Sequence, residues 1–165
     1  MNRIIKKIAV LGSGVMGSRI ACHFANIGIE VLLLDIVPKE PNPAELAKGL
    51  TTESPIVRNR IVNDALSAAV NSNPSPLYKK SFQSRIKIGN FDDNLKDLGS
   101  YDWILEAVIE NLAIKQSLYE KVEEVRAKGS IISTNTSGIP MNLLCQGRSE
   151  DFKTNFCGTH FFNPP

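Results

Sequence analysis

The sequence has few cysteines, little excess charge and no long hydrophobic run, and each absence excludes a class of protein. Its three cysteines are far apart and form no CxxC pair. We therefore expect neither a disulfide scaffold nor a bound metal, but reduced thiols in a cytoplasmic protein. The net charge of +2 is too small to indicate nucleic acid or an anionic membrane as a partner.

The apolar runs are all short. The first, at residues 8–11, follows basic residues near the amino terminus and is broken by glycine after four residues. It is too short for a signal peptide, and no later stretch approaches the roughly 20 residues that cross a membrane. A length of 165 residues leaves room for one domain with a proper core and hardly for two.

Short apolar runs alternate with helical patterns along most of the chain. The pattern predicts strands at residues 4–11, 31–34, 85–88, 103–108, 130–133 and 155–160. It predicts helices at 15–27, 56–70 and 112–126, with one or two turns in 140–146. Prolines interrupt the alternation near its middle, so residues 38–84 are expected to form a helical and loop decoration of one α/β domain.

A glycine-rich turn joins the first predicted strand to the first predicted helix. Gly12, Gly14 and Gly17 have the spacing at which the first glycine makes a tight turn, the second admits a pyrophosphate and the third packs helix against sheet. The turn, with Val15 and Met16 inside it, is a candidate dinucleotide-binding site. The sequence therefore predicts a Rossmann-type, doubly wound, mostly parallel sheet with helices on both faces.

An acidic residue at the end of the second strand indicates which dinucleotide binds. Asp35 lies 18 residues after Gly17, where a carboxylate accepts hydrogen bonds from the adenosine ribose hydroxyls. No arginine lies between Asp35 and Arg58 to neutralise a 2′-phosphate. The predicted cofactor is NAD rather than NADP.

Polar side chains follow three later strands. Glu110 comes after the 103–108 strand, Ser137 after the 130–133 strand, and His160 at the end of the last strand. In a parallel sheet these positions gather at the carboxyl edge, beside the glycine turn. A carboxylate, a hydroxyl and an imidazole next to a nicotinamide suit hydride transfer, in which a base takes the proton of an alcohol.

Four motifs together resemble those of the 3-hydroxyacyl-CoA dehydrogenase family. In order along the chain they are Gly12-Ser-Gly-Val-Met-Gly17, Glu106-Ala-Val-Ile-Glu110-Asn111, Asn135-Thr-Ser137-Gly138 and His160-Phe-Phe-Asn163-Pro164. The section around residues 49–55 is similar to the bacterial multidomain fatty-oxidation enzymes, which fuse this dehydrogenase to an enoyl-CoA hydratase.

The resemblance implies oxidation of (S)-3-hydroxyacyl-CoA to 3-ketoacyl-CoA in fatty acid β-oxidation, with NAD+ as hydride acceptor. It implies that His160 is the catalytic base and that Ser137 hydrogen-bonds the substrate hydroxyl. It also places three residues near the nicotinamide and its ribose, namely Asn135, Glu110 and Lys115.

The resemblance further implies parts that this sequence does not contain. In the family, the glutamate that orients the catalytic histidine and a helical substrate and dimerisation domain follow the last motif. We therefore expect a homodimeric parent protein that binds acyl-CoA, and an isolated chain with little activity.

Several alternatives stay open at this point. The chain could be a non-catalytic NAD-binding protein, or another hydroxy-acid dehydrogenase of the same fold. Among the residues, His160 could be a buried packing histidine and Ser137 a turn residue. Glu110 could cap the helix that begins near residue 112, and Lys115 could be a solvated charge.

Overall fold

One parallel sheet of six strands organises residues 4–162, which the computed structural model describes. The strand order is β3-β2-β1-β4-β5-β6, with strands β1 (Lys7–Leu11), β2 (Glu30–Asp35), β3 (Ile86–Asn90), β4 (Trp103–Glu106), β5 (Ile131–Thr134) and β6 (Phe156–Gly158). All five strand pairings are parallel. The predicted α/β class and Rossmann-type topology are confirmed.

Three long helices cover the two faces of the sheet. These are α1 (Val15–Asn26), α4 (Arg60–Val70) and α6 (Leu112–Val125). The shorter helices are α2 (Pro43–Leu46), α3 (Pro55–Arg58), α5 (Phe91–Asn94), α7 (Met141–Leu144) and α8 (Glu150–Thr154). Single 3₁₀ segments, Lys80–Arg85 and Leu95–Ser100, precede β3 and β4.

The central strands are apolar throughout because helices cover them on both sides. Ile8 and Val10 of β1 belong to the cluster that α1 and α4 cover. The alternate residues Ala9 and Leu11 point to the opposite face, towards α6. All four side chains are fully buried, as expected of a strand inside a doubly covered parallel sheet.

The decoration at residues 38–84 contains α2, α3, α4 and most of the first 3₁₀ segment. It joins the core through α4, Leu77 and Phe82. The predicted helix over 56–70 is wrong as a single element, since the chain breaks at Asn59 into α3 and α4. The Asn59 side chain accepts a hydrogen bond from the fully buried Asn90 at 2.9 Å. Arg60 pairs with Glu45 of α2, which holds the first part of the decoration against α4.

Three strand predictions were too long. The strand predicted over 4–11 begins only at Lys7. The strand predicted over 103–108 ends at Glu106, because its own carboxylate accepts the Val108 N–H at 2.7 Å and turns the chain. The last strand covers only Phe156–Gly158. Asn163 and Pro164 of the last motif lie outside the described residues. Within residues 4–162, no helix combines the length and the apolar character needed to cross a membrane.

We expect alanine substitutions at Gly17 and at Gly14 to lower the stability of the protein by different amounts. A Cβ at Gly17 would lie 1.8 Å from the Gly12 carbonyl oxygen, whereas a Cβ at Gly14 would meet nothing within 4 Å. Gly17→Ala should lower the free energy of unfolding by about 2 kcal/mol or more, as overpacking does. Gly14→Ala should lower the free energy of unfolding by less than about 1 kcal/mol, because Gly14 is an N-cap and glycine and alanine at that position differ by about this amount. Chemical denaturation measures both, and equal losses would contradict the geometry.

Candidate functional site: the carboxyl edge of the sheet

The glycine turn is shaped by close contacts on one side and open space on the other. Gly12 has φ +98°, which favours glycine, and a Cβ there would lie 2.7 Å from the Ala107 carbonyl oxygen. The turn therefore lies directly against the loop after β4. The open space at Gly14 is on the exposed side, where a pyrophosphate would approach.

The amino end of α1 faces the same space. The helix begins at Val15 with Gly14 as its N-cap, and no side chain caps its first N–H groups. Val15 is exposed, while Met16 packs partly against the core. Free N–H groups and the positive end of a 12-residue helix fit a bound phosphate.

Asp35 ends β2 beside the turn, as predicted. Its Oδ2 accepts hydrogen bonds from the Ser13 N–H at 2.6 Å and from the Ser13 hydroxyl at 2.5 Å. Its Oδ1 accepts the Ile36 N–H at 2.7 Å. A carboxylate has about four acceptor positions, so one is left for a ribose hydroxyl.

A cleft of about 600 Å³ opens between the glycine turn, Asp35 and α6. Its walls are mostly apolar and include Ile36, Phe91, Val108 and Ile114. An apolar slot that ends at a carboxylate matches an adenosine, whose base is flat and whose ribose carries two hydroxyls. The residues present thus fit the adenosine half of a dinucleotide.

The other half of the edge lies after β5 and β6. Thr159 continues the pairing with β5 through its N–H, which donates to the Thr134 carbonyl at 2.9 Å. The Phe161 N–H donates to the Asn135 side chain at 2.8 Å, and its ring packs edge-on against Phe24 of α1 at 5.9 Å. Asn135 therefore fixes the segment that carries the candidate histidine.

Ser137 and His160 face each other across this half of the edge. Their Oγ and Nδ1 atoms are 3.3 Å apart, within hydrogen-bonding reach of a base and its partner before substrate binds. Both side chains are exposed, so the alternative of a buried packing histidine is wrong. The Phe162 ring, 75% exposed, stands edge-on to the imidazole at 5.0 Å between centroids.

Glu110 contacts the loop that carries the serine. Its Oε1 accepts hydrogen bonds from the Thr136 hydroxyl and, at 3.0 Å, from the Gly138 N–H. Partial burial would raise the pKa of Glu110, but these hydrogen bonds and the charge of Lys115 together hold the pKa below its usual value. The cap of α6 is Asn111, which accepts the Ile114 N–H, so Glu110 does not have the capping role.

Lys115 lies beneath the site rather than in solvent. Its side chain is 1% exposed, and its Nζ lies 2.6 Å from Glu106 and 3.5 Å from Glu110. The solvated-charge alternative is therefore wrong, and a contact between Lys115 and the cofactor stays a prediction. Glu106 belongs to one of the four motifs but had no predicted role, although a carboxylate at the end of an apolar strand was a signal for one.

The glycine turn, Asp35 and the apolar cleft define the class of this chain as a dinucleotide-binding domain. A family model described as "3-hydroxyacyl-CoA dehydrogenase, NAD binding domain" matches residues 7–165. The chain belongs to this family, and its cofactor is NAD, as predicted.

Relatives and solved structures of the family cover nearly all of the chain. A Bacillus subtilis protein named as a 3-hydroxyacyl-CoA dehydrogenase is 51% identical over 99% of the chain and 21% of its own length. A Rickettsia felis protein named as a fatty acid oxidation complex trifunctional enzyme is 36% identical over 100% of the chain and 21% of its own length. The structure of (S)-3-hydroxybutyryl-CoA dehydrogenase from Ralstonia eutropha superposes with a TM-score of 0.66 at 27% identity, covering 98% of this chain and 50% of that one. The chain thus spans about a fifth of the two relatives.

We expect Asp35→Ala to weaken NAD binding and to reduce discrimination against NADP. Losing a hydrogen bond to a charged group costs about 1.5–3 kcal/mol, which corresponds to roughly a 10- to 100-fold higher Kd. Calorimetric titration with NAD+ and NADP+ measures this. Asp64→Ala, an exposed carboxylate on α4, is the matched control and should leave both affinities unchanged. Equal affinity of the wild type for the two nucleotides would contradict the assignment.

We expect Tyr119 to make the protein sensitive to alkaline pH. Burial and, next, the charge of Glu106 raise the pKa of Tyr119. The unfolded chain releases this proton near its ordinary pKa of about 10. The stabilising contribution is therefore complete below about pH 10 and is lost as the pH rises above it. Above about pH 10, the melting temperature of Tyr119→Phe should fall less steeply with pH than that of the wild type. Tyr78 is 79% exposed, so Tyr78→Phe should keep the wild-type slope. Parallel slopes for all three proteins would refute this.

Proposed function

We propose that the protein containing this chain oxidises (S)-3-hydroxyacyl-CoA to 3-ketoacyl-CoA in fatty acid β-oxidation. The observation that carries the proposal is the pair of Ser137 Oγ and His160 Nδ1, 3.3 Å apart, at the edge where the NAD-binding turn lies. The names of the relatives, a 3-hydroxyacyl-CoA dehydrogenase and a fatty acid oxidation complex enzyme, support the substrate class.

In the proposed mechanism, His160 and Ser137 handle the proton of the alcohol. The Ser137 hydroxyl hydrogen-bonds the 3-hydroxyl of the substrate and orients it, and the imidazole of His160 takes the hydroxyl proton. As the O–H bond breaks, the C3–H bond gives up its hydride and the C3–O bond becomes a carbonyl. When bound, NAD+ supplies the hydride acceptor. The hydrogen bond from Phe161 to Asn135 keeps the imidazole in position.

We also propose that residues outside this chain complete the substrate site. The relatives are about five times longer than the segment that matches, which is consistent with a helical substrate and dimerisation domain elsewhere in the protein. A homodimer, a cytoplasmic location and near-inactivity of the isolated chain are parts of this proposal. Three free cysteines support the location.

The proposal is tested by reduction of acetoacetyl-CoA with NADH in the full-length protein. We expect His160→Gln to lower kcat by roughly 10²- to 10⁴-fold, the contribution of a general base, without changing the Kd for NADH. His23→Gln is the matched control, because His23 is exposed on α1 and its ring stands edge-on to Phe24 and Phe161. It should retain wild-type activity.

Three outcomes would contradict the proposal. Wild-type kcat in His160→Gln would exclude this histidine as the base. A full-length protein that binds NADH but does not reduce acetoacetyl-CoA would be a non-catalytic NAD-binding protein. Faster reduction of an unactivated keto acid than of the thioester would indicate another hydroxy-acid dehydrogenase.

A further inference from the structure

A buried charge network lies beneath the proposed active site, behind the residues that line the cleft. At its centre is Glu106, the last residue of β4, which is fully buried. One carboxylate oxygen accepts the Lys115 ammonium at 2.6 Å, and the other accepts the hydroxyls of Tyr119 and Thr134, each at 2.6 Å. Together with the Val108 N–H, these donors satisfy both oxygens of the carboxylate.

Lys115 connects this network to the surface. Its Nζ is 2.6 Å from Glu106 and 3.5 Å from Glu110, so the buried carboxylate holds the ammonium more closely than the exposed one does. Lys115 faces the Oε2 atom of Glu110, while the Oε1 atom accepts hydrogen bonds from Thr136 and Gly138, the two residues that flank Ser137. The lysine therefore orients the carboxylate that holds the loop.

Glu110 thus links the buried ion pair to the serine loop. If Glu106 lost its charge, Lys115 would be a buried cation with Glu110 as its nearest carboxylate. The stronger attraction would draw Glu110 towards α6 and away from its two donors on the loop. Ser137, 3.3 Å from the imidazole of His160, would lose the anchors on both sides.

We propose that Glu106 and Lys115 are positioning residues of the hydride-transfer site, acting through Glu110 to hold Ser137 opposite His160. This inference rests on the proposed function of that site. A displacement of about 1 Å in such a group can cost roughly 100-fold in rate, so a buried pair with no substrate contact can control kcat.

The experiment is a double-mutant cycle in the full-length protein with Glu106→Gln and Glu110→Gln, singly and together. The kcat for acetoacetyl-CoA reduction is expressed per NADH-binding site, so that loss of folded protein does not lower it. We expect Glu106→Gln to lower kcat at saturating NADH by about tenfold or more. In the Glu110→Gln background the same substitution should change kcat by less than about twofold, because the two residues act in series.

Glu123→Gln is the matched control. Glu123 is a carboxylate of α6 that accepts hydrogen bonds from the N–H and the hydroxyl of Ser149, and it lies at the end of the helix far from Glu106. It should retain the wild-type kcat. If Glu106→Gln does not fold, Thr136→Val removes the hydroxyl donor to Glu110 at the other end of the network and should lower kcat by a similar factor.

The possible results distinguish a failure of this inference from a failure of the proposed function. Independent, multiplicative losses in the cycle would show that Glu106 is merely structural, and so would a wild-type kcat in folded Glu106→Gln or in Thr136→Val. An equal loss in Glu123→Gln would also overturn the inference. A wild-type protein without acyl-CoA turnover would instead refute the proposed function, and this inference with it.

Discussion

The carboxylate of Glu106 connects β4, α6 and β5 at the carboxyl edge of the sheet. It ends β4, accepts hydrogen bonds from Lys115 and Tyr119 of α6, and accepts another from Thr134 at the end of β5. Removing one partner of a buried ion pair typically costs about 3–5 kcal/mol, because the other charge is left unpaired. The relative placement of β4, α6 and β5 therefore depends strongly on this group.

The edge has two functional halves that meet at the loop after β4. On one side, β1 and β2 bring the glycine turn and Asp35 to the apolar cleft, and Gly12 lies against Ala107 of that loop. On the other side, β5 and β6 carry Ser137 and His160. The parallel register aligns all these strand ends, so a dinucleotide extended along the edge would reach from Asp35 to the imidazole.

Local features of the sequence were enough to predict the cofactor half. The glycines of the turn, their distance to Asp35 and the apolar strands on either side all lie within a few dozen residues, and each has a fixed structural role. The break at Asn59 was missed because it depends on Asn90, which is 31 residues away in the chain. The sequence around Asn59 contains no pattern that indicates a partner so far away in the chain.

The charge network could not be predicted for the same reason. Glu106 meets Lys115, Tyr119 and Thr134 at separations of 9, 13 and 28 residues. The register of β4 with β5 and the packing of α6 against the sheet bring these four residues together. A lysine on an amphipathic helix is usually solvated, so Lys115 gave no sign in the sequence that its ammonium is enclosed.

Hydrogen–deuterium exchange of the full-length protein tests most directly whether this edge binds NAD and carries the reaction. With NAD+ alone, protection should rise at residues 12–18, 35–37 and 107–110. Adding acetoacetyl-CoA to the NAD+ complex should extend protection to residues 134–138 and 158–161. Protection confined to other segments, or equal protection by NADP+, would contradict the account.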